Sequence, residues 1–213
     1  MFVEIFLDFY LCHKIVKMNS AYIQFKKFLI SFGLNESDVE KMIQFCDIEY
    51  FRKGEVVMQE GTKNNHIYFI CNGIVRNYVL TFDGEVSTYG FRTENMLITG
   101  YGIHNIHDDQ RALVSVECLE KCELIKIPLT ALCFMEKVCK DAHKVARYIA
   151  EAHIIDLVKF VISADTKSLK ERYDELENVF PNIHQRVPQH IIAAYLRISR
   201  VHLSRIKKMK VKM

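Results

Sequence analysis

Apolar and polar residues alternate with a helical period at both ends of the chain and with the period of strands in between. Residues 20–47 repeat apolar positions every three or four residues, and Asn35 begins the second of two short helical patterns there. From residue 49 onward, runs of Val, Ile, Tyr and Phe alternate with polar residues and are punctuated by glycines. Asp83-Gly84 between two such runs is typical of a β-hairpin. The pattern predicts an α+β chain whose middle is a small antiparallel barrel or jelly roll.

A long helix is predicted over residues 129–163. Its apolar positions recur at intervals of four and three residues: Val138, Ala142, Val145, Ile149 and Ala152. Leu157, Val158, Val161 and Ile162 extend this apolar side. This coiled-coil period favours pairing with a second copy of the chain, so we expect a homodimer. Packing of the stripe on the barrel of its own chain is the alternative.

Two short helices with a tight break between them are predicted from residue 185 to residue 208. The first begins near Pro188, because a proline loses no hydrogen bond in a first helical turn. The break is Arg197-Ile198-Ser199, and Ser199 suits the N-cap of the second helix. The apolar positions of that second helix are Val201, Leu203 and Ile206. This spacing is typical of a helix-turn-helix, whose second helix enters the major groove of DNA.

Charge is unevenly distributed along the chain. The formal net charge is +3, from 29 Lys and Arg against 26 Asp and Glu. The last acidic residue is Glu177, and eight Lys and Arg follow it, which leaves 21 basic and 26 acidic residues in the preceding body. This pattern favours a C-terminal end that binds a polyanion. A basic tail on an ordinary helical hairpin is the alternative.

Two sequence blocks resemble the Crp/Fnr transcription regulators. RVPQHIIAAYLRISRVHLSRIKK resembles their DNA-binding end, and GEVVMQEGTKNNHIYFICNG resembles their cyclic-nucleotide-binding fold. The blocks stand in the family's order between Ile23 and Lys208. The resemblance implies a cyclic-nucleotide-binding-like sensor domain over residues 18–134, built as a double-stranded β-helix or jelly roll. It further implies a dimerisation helix over 135–164 and a winged-helix-type helix-turn-helix over 165–213.

The function that the resemblance implies is sequence-specific binding of double-stranded DNA to regulate transcription, without enzymatic activity. The residues expected to contact DNA are Arg197, Ser199, Arg200, His202, Ser204, Arg205, Lys207 and Lys208. The family usually carries Gly where this chain has Arg197, so either this residue is strained in the left-handed conformation or the turn differs. Family members often carry a base-contacting Glu where this chain has Val201, so a different target sequence is expected.

The loop from Ile98 to Ser115 corresponds to the family's effector-binding loop. Nucleotide-binding members carry a Glu for the ribose there, followed by an Arg for the cyclic phosphate. The candidate ligand-binding residues of this chain are Gly100, Tyr101, Gly102, Arg111 and Ala112. Arg111 stands near the phosphate position, but Thr99, Gly100 and Tyr101 put no carboxylate at the ribose position. We therefore expect an unknown small-molecule effector, or none, rather than cyclic AMP, and no resident cofactor.

Two other functions remain open at this point. One is a ligand-binding signalling module whose helical end binds protein rather than DNA. The other is a cupin-like metalloenzyme using His104 and His107, although the two histidines lie in one loop with a spacing unlike cupin ligands, so no metal site is predicted.

Composition and partners complete the expectations. RNA polymerase is a further partner that the resemblance implies. The sequence has no apolar run of 18 residues, so no membrane span is expected, and seven cysteines without a CxxC pair favour reduced thiols and a cytoplasmic location. Residues 1–17 are expected to be either an added helix or an upstream extension of the reading frame.

Overall fold

The fold was analysed in a computed structural model that describes residues 19–100 and 111–211, with side chains up to Lys208. The expectations for residues 1–17 lie outside the described residues. Within the described ranges, no helix combines the length and the apolar character that crossing a membrane requires.

Strands in the described ranges form two four-stranded antiparallel sheets. Their bounds are β1 Asp47–Phe51, β2 Val56–Met58, β3 His66–Asn72, β4 Val75–Leu80, β5 Val86–Arg92, β6 Leu97–Ile98, β7 Ser115–Cys118 and β8 Cys122–Pro128. One sheet has the order β1-β8-β3-β6 and the other β2-β7-β4-β5. Alternate side chains of both sheets, such as Ile70, Val116 and Leu124, meet in a shared core. The predicted jelly-roll-like β-sandwich is confirmed.

The N-terminal helices cover one face of this sandwich. They are α1, Ser20–Ile30, and α2, Glu36–Ile43. Asn35 caps α2, since its side-chain Oδ1 accepts a 2.9 Å hydrogen bond from the N–H of Asp38. Phe25 of α1 and Val39 of α2 are fully buried against the first sheet. Both helices match the pattern predicted for residues 20–47.

The prediction of a single helix over residues 129–163 is wrong, because the structure has two helices there. Helix α3 spans Leu129–Val138 and helix α4 spans Ala142–Thr166. Between them Cys139 is extended, with φ −113° and ψ 117°. On the two sides of the break, α3 buries Met135 and α4 buries Ala142 in the same core.

Part of the apolar stripe predicted for dimer contact packs inside the molecule. Val145 and Ile149 are 6% and 4% exposed and belong to the core beneath α1 and α2. A second apolar face lies on the C-terminal half of α4, about 180° around the helix from Ile149, at 100° per residue. It is formed by Ile154, Ile155, Val158, Val161 and Ile162. We call these five residues the exposed stripe.

The C-terminal residues form a separate helical unit with its own core. Its helices are α5 Leu169–Val179, α6 Ile183–Arg186, α7 Gln189–Leu196 and α8 Arg200–Val211. Tyr173, Ile192 and Leu203 are buried in this core. No strand occurs in residues 167–211, so the winged form implied by the resemblance is not seen in the described part of the chain.

The β7–β8 turn attaches this helical unit to the barrel. Leu119 of the turn is 2% exposed and belongs to the same core as the C-terminal helices. Next to it, the Arg186 guanidinium donates a 2.6 Å hydrogen bond to Glu94 and a 3.2 Å hydrogen bond to Glu120. The charge of Arg186 is therefore directed at the barrel, although the sequence counted it with the polyanion-binding end.

Replacing Arg186 with Ala is expected to lower the free energy of unfolding by about 1–3 kcal/mol, because two carboxylates lose a charge-assisted donor. Burial alone would raise the pKa of Glu94, but hydrogen bonds from Arg186, Thr93 and the Gly73 N–H outweigh it and lower this pKa to about 2. A lowered pKa stabilises the fold above the unfolded value of 4.5, and the contribution is lost as the pH falls toward 2.

Urea denaturation of the wild type and the Arg186→Ala variant between pH 7 and pH 2 measures both effects. The variant should lose less stability than the wild type across the acid window. An exposed arginine on the barrel, Arg52, provides the matched control, and Arg52→Ala should behave as the wild type does. Equal acid sensitivity of wild type and Arg186→Ala would contradict the role given to this contact.

Candidate functional site

Helices α7 and α8 are joined by a three-residue turn with defined caps at both ends. Arg197 adopts the left-handed conformation, with φ 58° and ψ 44°, and its N–H closes the end of α7. Ser199 begins α8, since its Oγ accepts a 3.2 Å hydrogen bond from the N–H of His202. The left-handed strain anticipated at Arg197 and the N-cap predicted at Ser199 are both confirmed.

The two helices hold their relative orientation through buried residues. Ile192 and Leu196 of α7 are fully buried, as is Leu203 of α8, while Ile206 is 7% exposed. Val201 departs from the prediction, because it is 64% exposed and does not reach the core. At 100° per residue, Leu203 and Ile206 face one side of α8 and Val201 faces the opposite side.

The exposed side of α8 carries the cations. Arg200, His202, Arg205 and Lys208 are exposed, and Ser204 and Lys207 are half-buried. Within the described residues no carboxylate forms an ion pair with any of the four Arg and Lys residues of this group. Val201 lies near the centre of this cationic side, 100° from Arg200 and 20° from Lys208 around the helix.

Arg197 is placed differently from the other predicted DNA-contacting residues. Its guanidinium lies 5.4 Å from the ring centroid of Phe160, which belongs to α4. This cation–π contact joins the turn to α4, and Arg197 stays exposed to solvent. The sequence did not predict this role for Phe160, because an isolated Phe in an apolar helix is typical of an ordinary core residue.

The predicted effector loop is described only at its two ends. Tyr101, Gly102, His104 and His107 lie outside the described residues. Ala112 is buried, and the exposed Arg111 side chain donates a 2.8 Å hydrogen bond to the carbonyl of Gly61. The Arg111 guanidinium is thereby tied to the neighbouring β2–β3 loop.

The position at which the resembled family carries its ribose-binding Glu is closely packed here. Gly100 has φ 60°, and a Cβ at this residue would lie 3.1 Å from the Cβ of Ala112 and 3.2 Å from the Sδ of Met58. Thr99 is buried, and its hydroxyl lies 3.0 Å from Nε2 of His153 on α4. Neither residue leaves space for a carboxylate side chain in this arrangement, and His153 is a contact that the sequence did not predict.

Comparison with known proteins identifies the central part of the chain. A family model described as "Cyclic nucleotide-binding domain" matches residues 48–135, which are the strands and most of α3. Residues 48–135 are therefore similar to cyclic nucleotide-binding domains. No curated protein sequence matches the chain.

Solved structures with the same fold include transcription regulators. FixK2 from Bradyrhizobium japonicum superposes with a TM-score of 0.65 at 13% identity, over 77% of this chain and 83% of its own. A putative regulator of the crp/fnr family from Eubacterium rectale gives 0.64 at 16% identity, over 86% and 87%. The c-di-GMP responsive regulator CLP from Xanthomonas campestris gives 0.62 at 15% identity, over 84% and 93%. These matches cover the cyclic nucleotide-binding domain and extend into the flanking helices.

Proposed function

We propose that this protein is a homodimeric transcription regulator of the Crp/Fnr type that binds double-stranded DNA in a sequence-specific manner. The observation that carries the proposal is the exposed side of α8, where Arg200, Arg205 and Lys208 pair with no carboxylate of the residues that the structure describes, and the half-buried Lys207 adds a fourth unpaired cation at its edge. Four cations on a helix held by a capped turn match the arrangement in which a recognition helix enters the major groove. The regulators that share the fold support this function.

The cationic side of α8 assigns different tasks to its residues. Arg205 reads a base edge and Arg200 holds a phosphate next to the N-cap residue Ser199, where backbone N–H groups also favour an anion. Val201 offers an apolar contact for a thymine methyl group, since it is exposed between these cations. His202 and Ser204 supply further donors, and Lys207 and Lys208 contact phosphates.

The proposed domain organisation places sensing, pairing and DNA binding in sequence. Residues 18–134 form the sensor domain, 135–164 the dimerisation segment and 165–213 the DNA-binding domain. The exposed stripe of α4 is the proposed dimer contact, because five neighbouring Val and Ile side chains in water favour association with an identical surface. RNA polymerase as a further partner and a cytoplasmic location stay predictions.

Salt dependence of DNA affinity tests this function. The full chain is mixed with a random-sequence library of duplex DNA, and the retained sequences are measured by fluorescence anisotropy between 50 and 200 mM salt. A protein that contacts six or more phosphates is expected to lose affinity by about a thousandfold or more over this range, because counterions are released. Absence of DNA binding at 50 mM salt contradicts the proposal and favours the alternative in which the helical end binds protein.

Cyclic AMP is not expected to bind this protein with micromolar or tighter affinity. Without a carboxylate at Thr99 or Gly100, the ribose loses a charge-assisted hydrogen bond that contributes about 1.5–3 kcal/mol. Isothermal titration calorimetry of cyclic AMP with the full chain measures this directly. If cyclic AMP binds with a micromolar dissociation constant and Arg111→Gln lowers this affinity, the loop binds the nucleotide by a different ribose contact.

A further inference from the structure

A cavity of about 450 Å³ lies where the barrel, α4 and the C-terminal helices meet. This volume is within the range of small-molecule binding pockets. The barrel wall comes from β5 and from Leu113 and Val114, and the remaining walls come from α4, α5, Phe180 and Tyr195. Of the loop residues that the resemblance assigns to an effector and that the structure describes, Gly100, Arg111 and Ala112 do not line it.

One face of α4 explains why the cavity exists. The face that packs on the core through Val145 and Ile149 continues at intervals of three and four residues as His153, Asp156 and Phe160. The barrel contacts this half of the helix through the ion pair of Arg92 with Asp156 at 2.6 Å, and the same face lines the cavity. Ile155, Val158, Val161 and Ile162 of the exposed stripe point to other sides of α4, and only Ile154 of the stripe also lines the cavity.

The lining of the cavity is mostly apolar and accessible to water. Tyr89, Leu113, Leu157 and Val179 line it and are each more than 40% exposed. Exposed apolar side chains gathered around one concave surface are typical of a site that takes an apolar ligand group.

The charges on the cavity wall do not cancel among themselves. Asp156 is held by Arg92 at 2.6 Å, and Glu175 is held by Lys167 at 2.8 Å, so both acids are paired. Arg172 also lines the cavity and is half-buried, but its guanidinium forms no ion pair or hydrogen bond with any residue that the structure describes. Lys159 of α4 lines the cavity too, and this exposed cation also pairs with no carboxylate of the described residues. The wall therefore carries two cations that no described carboxylate neutralises, and Arg172 is the half-buried one.

A second donor stands beside this cation. Tyr195 lines the same cavity, and its hydroxyl has no hydrogen-bond partner within residues 19–100 and 111–208. Burial raises the pKa of Tyr195, so its hydroxyl stays protonated at neutral pH and can donate a hydrogen bond, and the charge of Arg172 acts on the same hydroxyl. A guanidinium and a hydroxyl with open donor positions suit a carboxylate, which accepts several hydrogen bonds.

From these contacts we propose that the cavity binds a small apolar molecule bearing one carboxylate. Arg172 and Tyr195 donate hydrogen bonds to the carboxylate, while Phe160, Leu157 and Val179 contact the hydrocarbon part. The Phe160 ring lies 6.3 Å from the ring of Tyr195 and also contacts the Arg197 guanidinium. A bound molecule therefore touches the residues that adjoin the turn between α7 and α8. The binding itself does not depend on whether the chain recognises DNA.

Calorimetry of the full-length protein without DNA tests the proposal, with decanoate and decanol as probes below their aggregation limits. Decanoate is expected to bind about tenfold more tightly than decanol, because only the carboxylate carries a negative charge and two oxygens that can accept from Arg172 and Tyr195 together. Arg172→Gln is expected to remove this tenfold difference. Lys27→Gln, which changes an exposed cation on α1, is expected to preserve it.

Cavity-filling variants locate the binding site. Leu113→Trp and Val179→Phe add volume at exposed positions, so both proteins should fold, as thermal unfolding will show, and both should bind either probe at least tenfold more weakly. Equal affinity for decanoate and decanol, or binding that neither filled variant weakens, overturns the proposal. Binding confined to a monomeric variant of the exposed stripe also overturns it, since a second copy would then occupy the cavity.

Discussion

Replacing Val158 with Glu is expected to convert the protein from a dimer into monomers. Val158 is at the centre of the exposed stripe on α4, and a two-fold dimer would bury this residue from both chains. Each buried and unpaired carboxylate costs about 3–5 kcal/mol, so the dissociation constant should rise by more than about a hundredfold. Light scattering at micromolar concentration measures the change in mass, and DNA affinity should fall with it because two half-sites are no longer joined.

Two control variants separate loss of pairing from loss of folding. Lys159→Glu changes the charge of an exposed neighbour outside the stripe and should leave the dimer intact. Ile149→Glu puts a carboxylate into the core that α4 shares with α1, and this variant should unfold rather than dissociate. If the wild type is already monomeric at micromolar concentration, the stripe is not a dimer contact.

Arg205→Ala is expected to relax sequence preference at one base pair, whereas Arg200→Ala should weaken binding to all sequences alike. The two residues are five apart on α8, or 140° around the helix, so they cannot both face one base pair. Removing a base-reading Arg costs about 1–3 kcal/mol of binding, and removing a phosphate contact lowers the salt slope by about one. Binding-site selection at two salt concentrations distinguishes the two effects.

The two variants act as matched controls for each other, since each removes one exposed cation from the same helix. Lys27→Gln shows what the loss of a distant exposed cation does. An unchanged selected motif for Arg205→Ala would reverse the assignment of roles. Undiminished affinity in both variants would remove α8 from the DNA contact altogether.

The alternation of side chains determined most of the local structure in advance. The strand period and the Asp83-Gly84 turn predicted the hairpin of β4 and β5, where the N–H of Gly84 donates to the carbonyl of Thr81 at 2.9 Å. The spacing of α7 and α8 and the N-cap at Ser199 followed from rules that act over a few residues. Such rules depend on backbone hydrogen bonds between near neighbours, which a sequence displays directly.

The direction in which each apolar face points was decided by tertiary packing alone. Periodicity showed a stripe through Ile149 but could not show that the first sheet would cover it, or that Cys139 would end α3 so that two helices share one core. The sequence predicted Val201 as an apolar position of α8, but Leu203 packs in the core and leaves Val201 on the exposed side. In each case the sequence supplied the period of the helix, and distant residues determined which side of it met the core.

Local sequence patterns also could not predict contacts between residues that are far apart in the sequence. Arg186 looked like one more cation of a DNA-binding end, but 66 residues separate it from Glu120, to which it is bound. The cavity beside Arg172 and Tyr195 exists only because the barrel, α4 and the C-terminal helices converge there. Composition and periodicity therefore predicted most helices and strands of this protein and the positive charge of its C-terminal surface. Only the folded chain decided which charges were already paired and which remained available to a ligand.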